Sequence, residues 1–144
     1  LADVKAIAAG AAHSIALKRD GTVWAWGANG SRQLGINSTI GQTHVPTQVA
    51  LTGVTRISTG ENHTMALVND VAYGWGLNDE CHLGNGTRNN ATAPIPLLTG
   101  VMDIDGGEFQ SVFTMSDGSV KRAGNMANIR VCDPTATLLH AAPR

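Results

Sequence analysis

Charge is scarce in this chain: only 15% of its 144 residues are Asp, Glu, Lys or Arg, against about a quarter in ordinary soluble domains. That scarcity argues against a disordered polyelectrolyte, a coiled coil and a solvated helical bundle. Positive charge is scattered too, with Lys18-Arg19 and Lys121-Arg122 the only basic doublets. A nucleic-acid binder with a basic patch is therefore not expected. No apolar run approaches the roughly 18 residues of a membrane-spanning helix. Aromatic residues make up 4%, and there are only two cysteines and five prolines. The chain also lacks a CxxC pair, a nucleophile elbow and a phosphate-cradling loop, so nucleophilic and nucleotide chemistry have no visible machinery. We expect no enzyme and no cofactor. Glycine is abundant instead, 17 residues in all, which together with the low charge points to an all-β domain.

A repeat organises what is present. Leu1-Ala2-Asp3-Val4 recurs as Leu51-Thr52-Gly53-Val54 and as Leu98-Thr99-Gly100-Val101. In that register Ile7, Ile57 and Ile104 align, as do Gly10, Gly60 and Gly107. His13 matches His63, with Gln110 in the third copy, and Trp26-Gly27 matches Trp75-Gly76. Asn29 matches Asn78, Leu34-Gly35 matches Leu83-Gly84, and Pro46 matches Pro94. Many coincidences in one register mark a true internal repeat.

Each copy reads as short strands between turn signals. In the first copy Val4 to Ala9, His13 to Lys18, Thr22 to Trp26 and Val45 to Leu51 are strand-like. Ile15 and Leu17 alternate with Ser14 and Ala16, the period-two pattern of a strand with two distinct faces. Asp20-Gly21 suggests a type I′ hairpin. The third copy loses the pattern after Arg122: Ala123 replaces the tryptophan, and no Leu-Gly follows. Four antiparallel strands in a copy of about 40 to 50 residues describe a propeller blade. The expected fold is a partial β-propeller of about three four-stranded antiparallel blades, the third degenerate. The repeats are taken as 1–53, 54–100 and, with a C-terminal tail, 101–144.

The phrases Gly10-x-x-His13-Ser14-x-Ala16-Leu17, Asp20-Gly21-x-Val23-Trp24-x-Trp26-Gly27-x-Asn29, Gln33-Leu34-Gly35 and Pro46-x-x-Val49 together resemble one repeat of the regulator of chromosome condensation family. The alanine-rich wording is closer to the bacterial branch. The resemblance implies a seven-bladed propeller that serves as a protein-binding platform. Members include an exchange factor for a Ran-type small GTPase and a secreted β-lactamase inhibitor. Neither role transfers residue by residue, because the repeat consensus speaks for the fold.

His13 and His63 share a register position, but no carboxylate or cysteine accompanies them, so they read as structural members of the repeat and not as metal ligands. His44, His82 and His140 have no shared spacing and are expected at the surface. Asp103, Asp105 and Glu108 concentrate carboxylates in six residues; the spacing is not that of a calcium loop, and a solvated or partner-facing strand end is expected. Glu61 and Glu108 follow the repeat glycine and suggest an acidic loop rim. Arg32, Arg88 and Arg130 lie in long loops, and Arg32 and Arg88 join the carboxylates as candidate partner contacts. Trp24, Trp26 and Trp75 are assigned to packing between blades. Cys81 and Cys132 fall at non-equivalent positions; a disulfide and two free thiols are both compatible with the spacing. Five Asn-x-Ser/Thr sequons occur, and Asn29 and Asn78 read better as turn formers than as glycan carriers.

The function expected from this is a non-catalytic protein–protein interaction module. Its rigid blades would display the variable loops 28–44, 77–93 and 125–137 to a protein partner. A regulator (a small-GTPase exchange factor or an enzyme inhibitor) and a building block of a surface assembly or filament are the alternatives. An extracellular or cell-surface setting is slightly favoured. Three blades do not close a ring, and the first residue is Leu1, so a piece of a longer chain or one segment of a homo-oligomeric ring is expected.

Overall fold

The computed structural model describes residues 1–134. Among these residues twelve strands form three four-stranded antiparallel sheets. The first blade holds β1 (Val4–Ala9), β2 (His13–Lys18), β3 (Val23–Ala28) and β4 (Gln42–Gln48). The second holds β5 (Val54–Thr59), β6 (His63–Val68), β7 (Val71–Gly76) and β8 (Ala91–Leu98). The third holds β9 (Val101–Gly106), β10 (Gln110–Met115), β11 (Val120–Met126) and β12 (Ile129–Val131). Each sheet runs in chain order, so every blade is a meander. The inner strands β1, β5 and β9 lie side by side and bring successive blades face to face. This is a partial propeller.

The repeated phrases have local causes. The third residue of each Leu-x-x-Val phrase takes a positive φ, at Asp3, Gly53 and Gly100, a conformation glycine adopts without a Cβ penalty. Just beyond it the inner strand slips by one residue against its partner, at the same point in all three blades. Such a bulge twists the strand and leaves Met102, the slipped residue of the third blade, largely exposed.

The first hairpin differs from expectation. Only Gly21, not Asp20, takes a positive φ, and Gly21 N–H donates to Lys18 C=O. This is a type I turn closed by a glycine bulge, which likewise matches the twist of the strands. The paired positive φ of a type I′ hairpin occurs instead at Ala127 and Asn128, between β11 and β12. That tight hairpin adds a fourth strand to the third blade where the sequence showed no pattern. It also corrects the expected loop 125–137, whose first half is strand and turn.

Two apolar cores fill the seams between blades. In the first, Ile15, Leu17, Val23 and Leu34 of blade one meet Val54, Ala66 and Trp75 of blade two. In the second, Met65, Leu67 and Ala72 of blade two meet Val101, Ile104, Phe113 and Met115 of blade three. Each Val, Leu, Ile, Phe or Met among them contributes roughly 1.5–3 kcal/mol on full burial. The aligned isoleucines show which faces are covered. Ile104 is 6% exposed and Ile57 is half-buried against the first core, whereas Ile7 is 77% exposed. Ile7 and the half-buried Trp26 line an apolar hollow on the outer face of blade one.

Candidate interaction site at the loop end of the blades

The meander places the β1–β2, β5–β6 and β9–β10 turns at one end of the blades, together with the long β3–β4 and β7–β8 loops. A polar relay crosses each seam near that end. His13 Nε2 lies 2.9 Å from Thr64 Oγ1, which donates to the Gln33 carbonyl at 2.7 Å. Thr64 has one proton and spends it on Gln33, so His13 is the donor, through Nε2–H. The same relay recurs one blade on. His63 Nε2 lies 3.0 Å from Ser111 Oγ, which donates to the His82 carbonyl at 2.5 Å. A histidine of one blade thus reaches a hydroxyl of the next, which reaches back to the preceding blade's long loop.

Both long loops are pinned by a buried asparagine. Asn29 accepts Leu34 N–H through Oδ1 and donates Nδ2 to the Ser38 and Ile40 carbonyls. Asn78 accepts Leu83 N–H and donates to the Thr87 and Asn89 carbonyls. Both are at most 1% exposed. The amide replaces water as hydrogen-bond partner for the loop backbone, which gives each loop one conformation. Gly35 then fits directly against the Trp75 indole: a Cβ at this position would lie 2.5 Å from ring atoms, and φ is +66°. Trp75 Nε1–H donates to Gln33 C=O at 3.0 Å.

The candidate partner contacts separate by environment. Half-buried Glu61 and exposed Glu108 occupy the turns at the loop end, and the Glu61 carbonyl accepts Ala11 N–H across the first seam. Arg32 is half-buried and donates to the Asn29 carbonyl at 3.4 Å. Arg88 is exposed, and its Nε donates to the Asp79 carbonyl at 2.5 Å. Asp103 and Asp105 lie on the inner strand β9, facing the second blade. Asp103 pairs with Arg56 at 2.5 Å, and Asp105 accepts Ser58 Oγ–H at 3.4 Å. Among the described residues no group of three or more His, Cys, Asp and Glu is placed to hold a metal ion.

Three readings from sequence are corrected or resolved. His82, expected at the surface, is 0% exposed. It occupies the register place of Gln33, so the loop carries it into the second seam, where its ring lies 5.1 Å from that of His63. His44 is exposed, and His140 lies outside the described residues. Cys81 and Cys132 form a disulfide, with their Cα atoms 4.8 Å apart. No spacing rule exposes that pairing, because one cysteine sits in the blade-two loop and the other just beyond β12. Trp75 is fully buried in the first seam. Trp24 and Trp26 are half-buried on the outer face of blade one; Trp24 donates to Thr22 Oγ1 and lies under the Lys18 ammonium.

Burial holds the seam histidines neutral. Desolvation lowers the His13 pKa to about 4. At His63 desolvation, reinforced by the neighbouring His82 and His13, lowers it to about 3. The His82 pKa is lowered by burial, against the pull of Asp79 and Glu80. Glu80, which sequence reasoning passed over, accepts from Arg130 at 2.7 Å and Asn125 at 2.9 Å, and these bonds hold its carboxyl below the ordinary range.

Comparison with known proteins identifies the repeat. The profile of the Regulator of chromosome condensation (RCC1) repeat matches residues 20–67, and a second profile of the same repeat matches 4–33. Protein pim1 of Schizosaccharomyces pombe is 33% identical over 155 aligned residues, which cover 91% of this chain and 29% of that protein. The secretion-regulating guanine nucleotide exchange factor of Mus musculus is 31% identical over 112 residues, 65% of this chain and 24% of that protein. The chain thus spans under a third of the length of these relatives. Among solved structures, Prp20p of Saccharomyces cerevisiae superposes with a TM-score of 0.84 at 22% identity, covering 98% of this chain and 39% of that one. Human WBSCR16 superposes with a TM-score of 0.81 at 22% identity, over 91% and 37%; at such identities the likeness is one of fold. Repeat register, blade topology and sequence similarity agree: the chain carries repeats of the regulator of chromosome condensation family.

Proposed function

We propose that the chain is a non-catalytic protein-interaction module whose rigid blades display the loop end to a protein partner. The carrying observation is the division of labour between strands and loops. Apolar strand side chains such as Ile15, Leu17, Met65 and Phe113 pack in the seams, while Asn29 and Asn78 hold the long loops in one arrangement. A preorganised loop surface binds at a smaller ordering cost than a mobile one. The contacts we assign to a partner are Glu61 and Glu108 at the rim, Arg32 and Arg88 in the loops, and Asp103 and Asp105 on the wall below. The test is affinity measurement on a captured partner with Glu61→Gln/Glu108→Gln and Arg32→Gln/Arg88→Gln variants of unchanged circular dichroism. Loss of binding by at least tenfold supports the reading. Undiminished binding by both variants removes it.

Relatives favour one second reading. A guanine nucleotide exchange factor is among the similar proteins, and the solved Prp20p structure was described together with its binding to Gsp1p and histones. Regulation of a small GTPase would appear as faster nucleotide release on adding this chain; an unchanged rate excludes it. The exposed Ile7 and the Trp26 hollow further support a neighbour on the outer face of blade one, from a longer chain or from a second copy. Sedimentation of the chain separates these, since only the second copy raises the mass. The disulfide supports an oxidising compartment such as the cell exterior.

A further inference from the structure

The second seam lacks the part that closes the first. Between blades one and two, the Trp75 ring fills the space over Gly35 and its N–H holds the Gln33 carbonyl. Between blades two and three the corresponding residue is Ala123. The His82 carbonyl there keeps the Ser111 hydroxyl but has no indole donor. Gly84, the counterpart of Gly35, faces the Ala123 methyl and Pro134.

The disulfide stands at this place. Cys81 is the register counterpart of Arg32, immediately before the seam residue His82. Its bond to Cys132 joins the blade-two loop to the chain leaving the outer strand of blade three. The two residues are 51 apart in sequence, and between them run β8 and all four strands of blade three. Around it, Gly86 N–H donates to Cys132 C=O at 2.8 Å, and Glu80 ties Arg130 and Asn125 to the same loop. We propose that Cys81–Cys132 is a redox-responsive latch that takes over, at the second seam, the closing role that Trp75 has at the first.

The chemistry is a thiol–disulfide exchange with a dithiol reductant. Cys81 is fully buried and Cys132 half-buried, so a thiolate of the reductant attacks Cys132 Sγ and expels Cys81 Sγ. The second thiol of the reductant then displaces Cys132 from the mixed disulfide. Two electrons and two protons pass to the cysteines, leaving two thiols and an oxidised cyclic reductant. With the latch open, blade three is held by the His63–Ser111–His82 relay, the Glu80 contacts and the seam core, without an indole behind them. It should loosen while the first seam stays shut.

Hydrogen exchange on the intact chain, with and without dithiothreitol and without denaturant, tests this. Thiol alkylation is read in parallel. Reduction is expected to expose two alkylatable thiols and to speed amide exchange in 101–126 at least tenfold, with the β1–β3 amides and the β6 and β7 amides paired to each other unchanged. A Cys81→Ser/Cys132→Ser variant should show the loosened pattern without reductant and no response to it. Cysteines that resist reduction in the folded chain, unaltered exchange in 101–126, or equal acceleration in all three blades would each overturn the proposal. Should the double variant fail to fold, reduction of the already folded parent decides alone.

Discussion

Trp75 donates its indole N–H to the Gln33 carbonyl at 3.0 Å, so an aromatic ring of the second blade holds the long loop of the first. The Thr64 hydroxyl reaches the same oxygen at 2.7 Å. One carbonyl therefore gathers two donors from the following blade. Trp75→Phe keeps most of the ring and removes one donor, with an expected cost of about 1 kcal/mol. Trp75→Ala also empties the space over Gly35 and should cost about 3–5 kcal/mol. Urea denaturation of both variants separates the hydrogen bond from the packing.

Thr64 is the middle of a relay, and its neighbours cannot find substitutes inside the seam. Thr64→Val leaves His13 Nε2–H and one lone pair of the Gln33 carbonyl without a partner, and should destabilise by about 1–3 kcal/mol. Thr64→Ser should cost less than half of that, since the third blade carries out the same task with Ser111. A larger loss in Thr64→Ser than in Thr64→Val would show that the methyl group, not the hydroxyl, matters at this place.

Acid should open the seams. The pKa values of His13 and His63 in the folded chain, about 4 and about 3, lie below the value of 6.5 expected when unfolded. The unfolded chain therefore binds protons first as pH falls. Stability from these groups is complete above pH 6.5 and is lost as pH drops towards 4 for His13 and 3 for His63. His63→Gln, the residue type that the third repeat carries at Gln110, should flatten the fall in melting temperature across that window. An unchanged pH profile would exclude His63 as its source.

Asn78 governs the order of the blade-two loop. Asn78→Ala strips the Leu83 N–H of its acceptor and the Thr87 and Asn89 carbonyls of their donor. A loss of about 1–3 kcal/mol follows for each buried group left unpaired. Limited proteolysis should show new cleavage within residues 77–90, with the β5–β7 strands protected. Cleavage elsewhere first would place the weak point outside this loop.

The repeat and the meander were legible from residues alone, because side-chain period and turn chemistry are local properties of the chain; the first copy's fourth strand nevertheless runs Gln42–Gln48 and not Val45 to Leu51, and Trp24 and Trp26 lie outside both seam cores. Ile15 and Leu17 mark a buried face by their spacing, and Trp75 a packing role by its place in the repeat. The fourth strand of the third blade was not legible: Ile129 to Val131 is too short to show a period, and its turn, Ala127-Asn128, carries no glycine. His82 was misread for a related reason. Its burial depends on standing where Gln33 stands, and a change of residue type hid the correspondence.

What the sequence determined by itself is the blade, since a strand meander needs only alternation and turns from nearby residues. The tertiary structure decided how blades are joined. The His13–Thr64–Gln33 relay, the seat of Trp75 over Gly35 and the Cys81–Cys132 bond at the second seam all depend on groups brought together from distant parts of the chain. Alternation selects which face of a strand is apolar; only packing determines what that face meets.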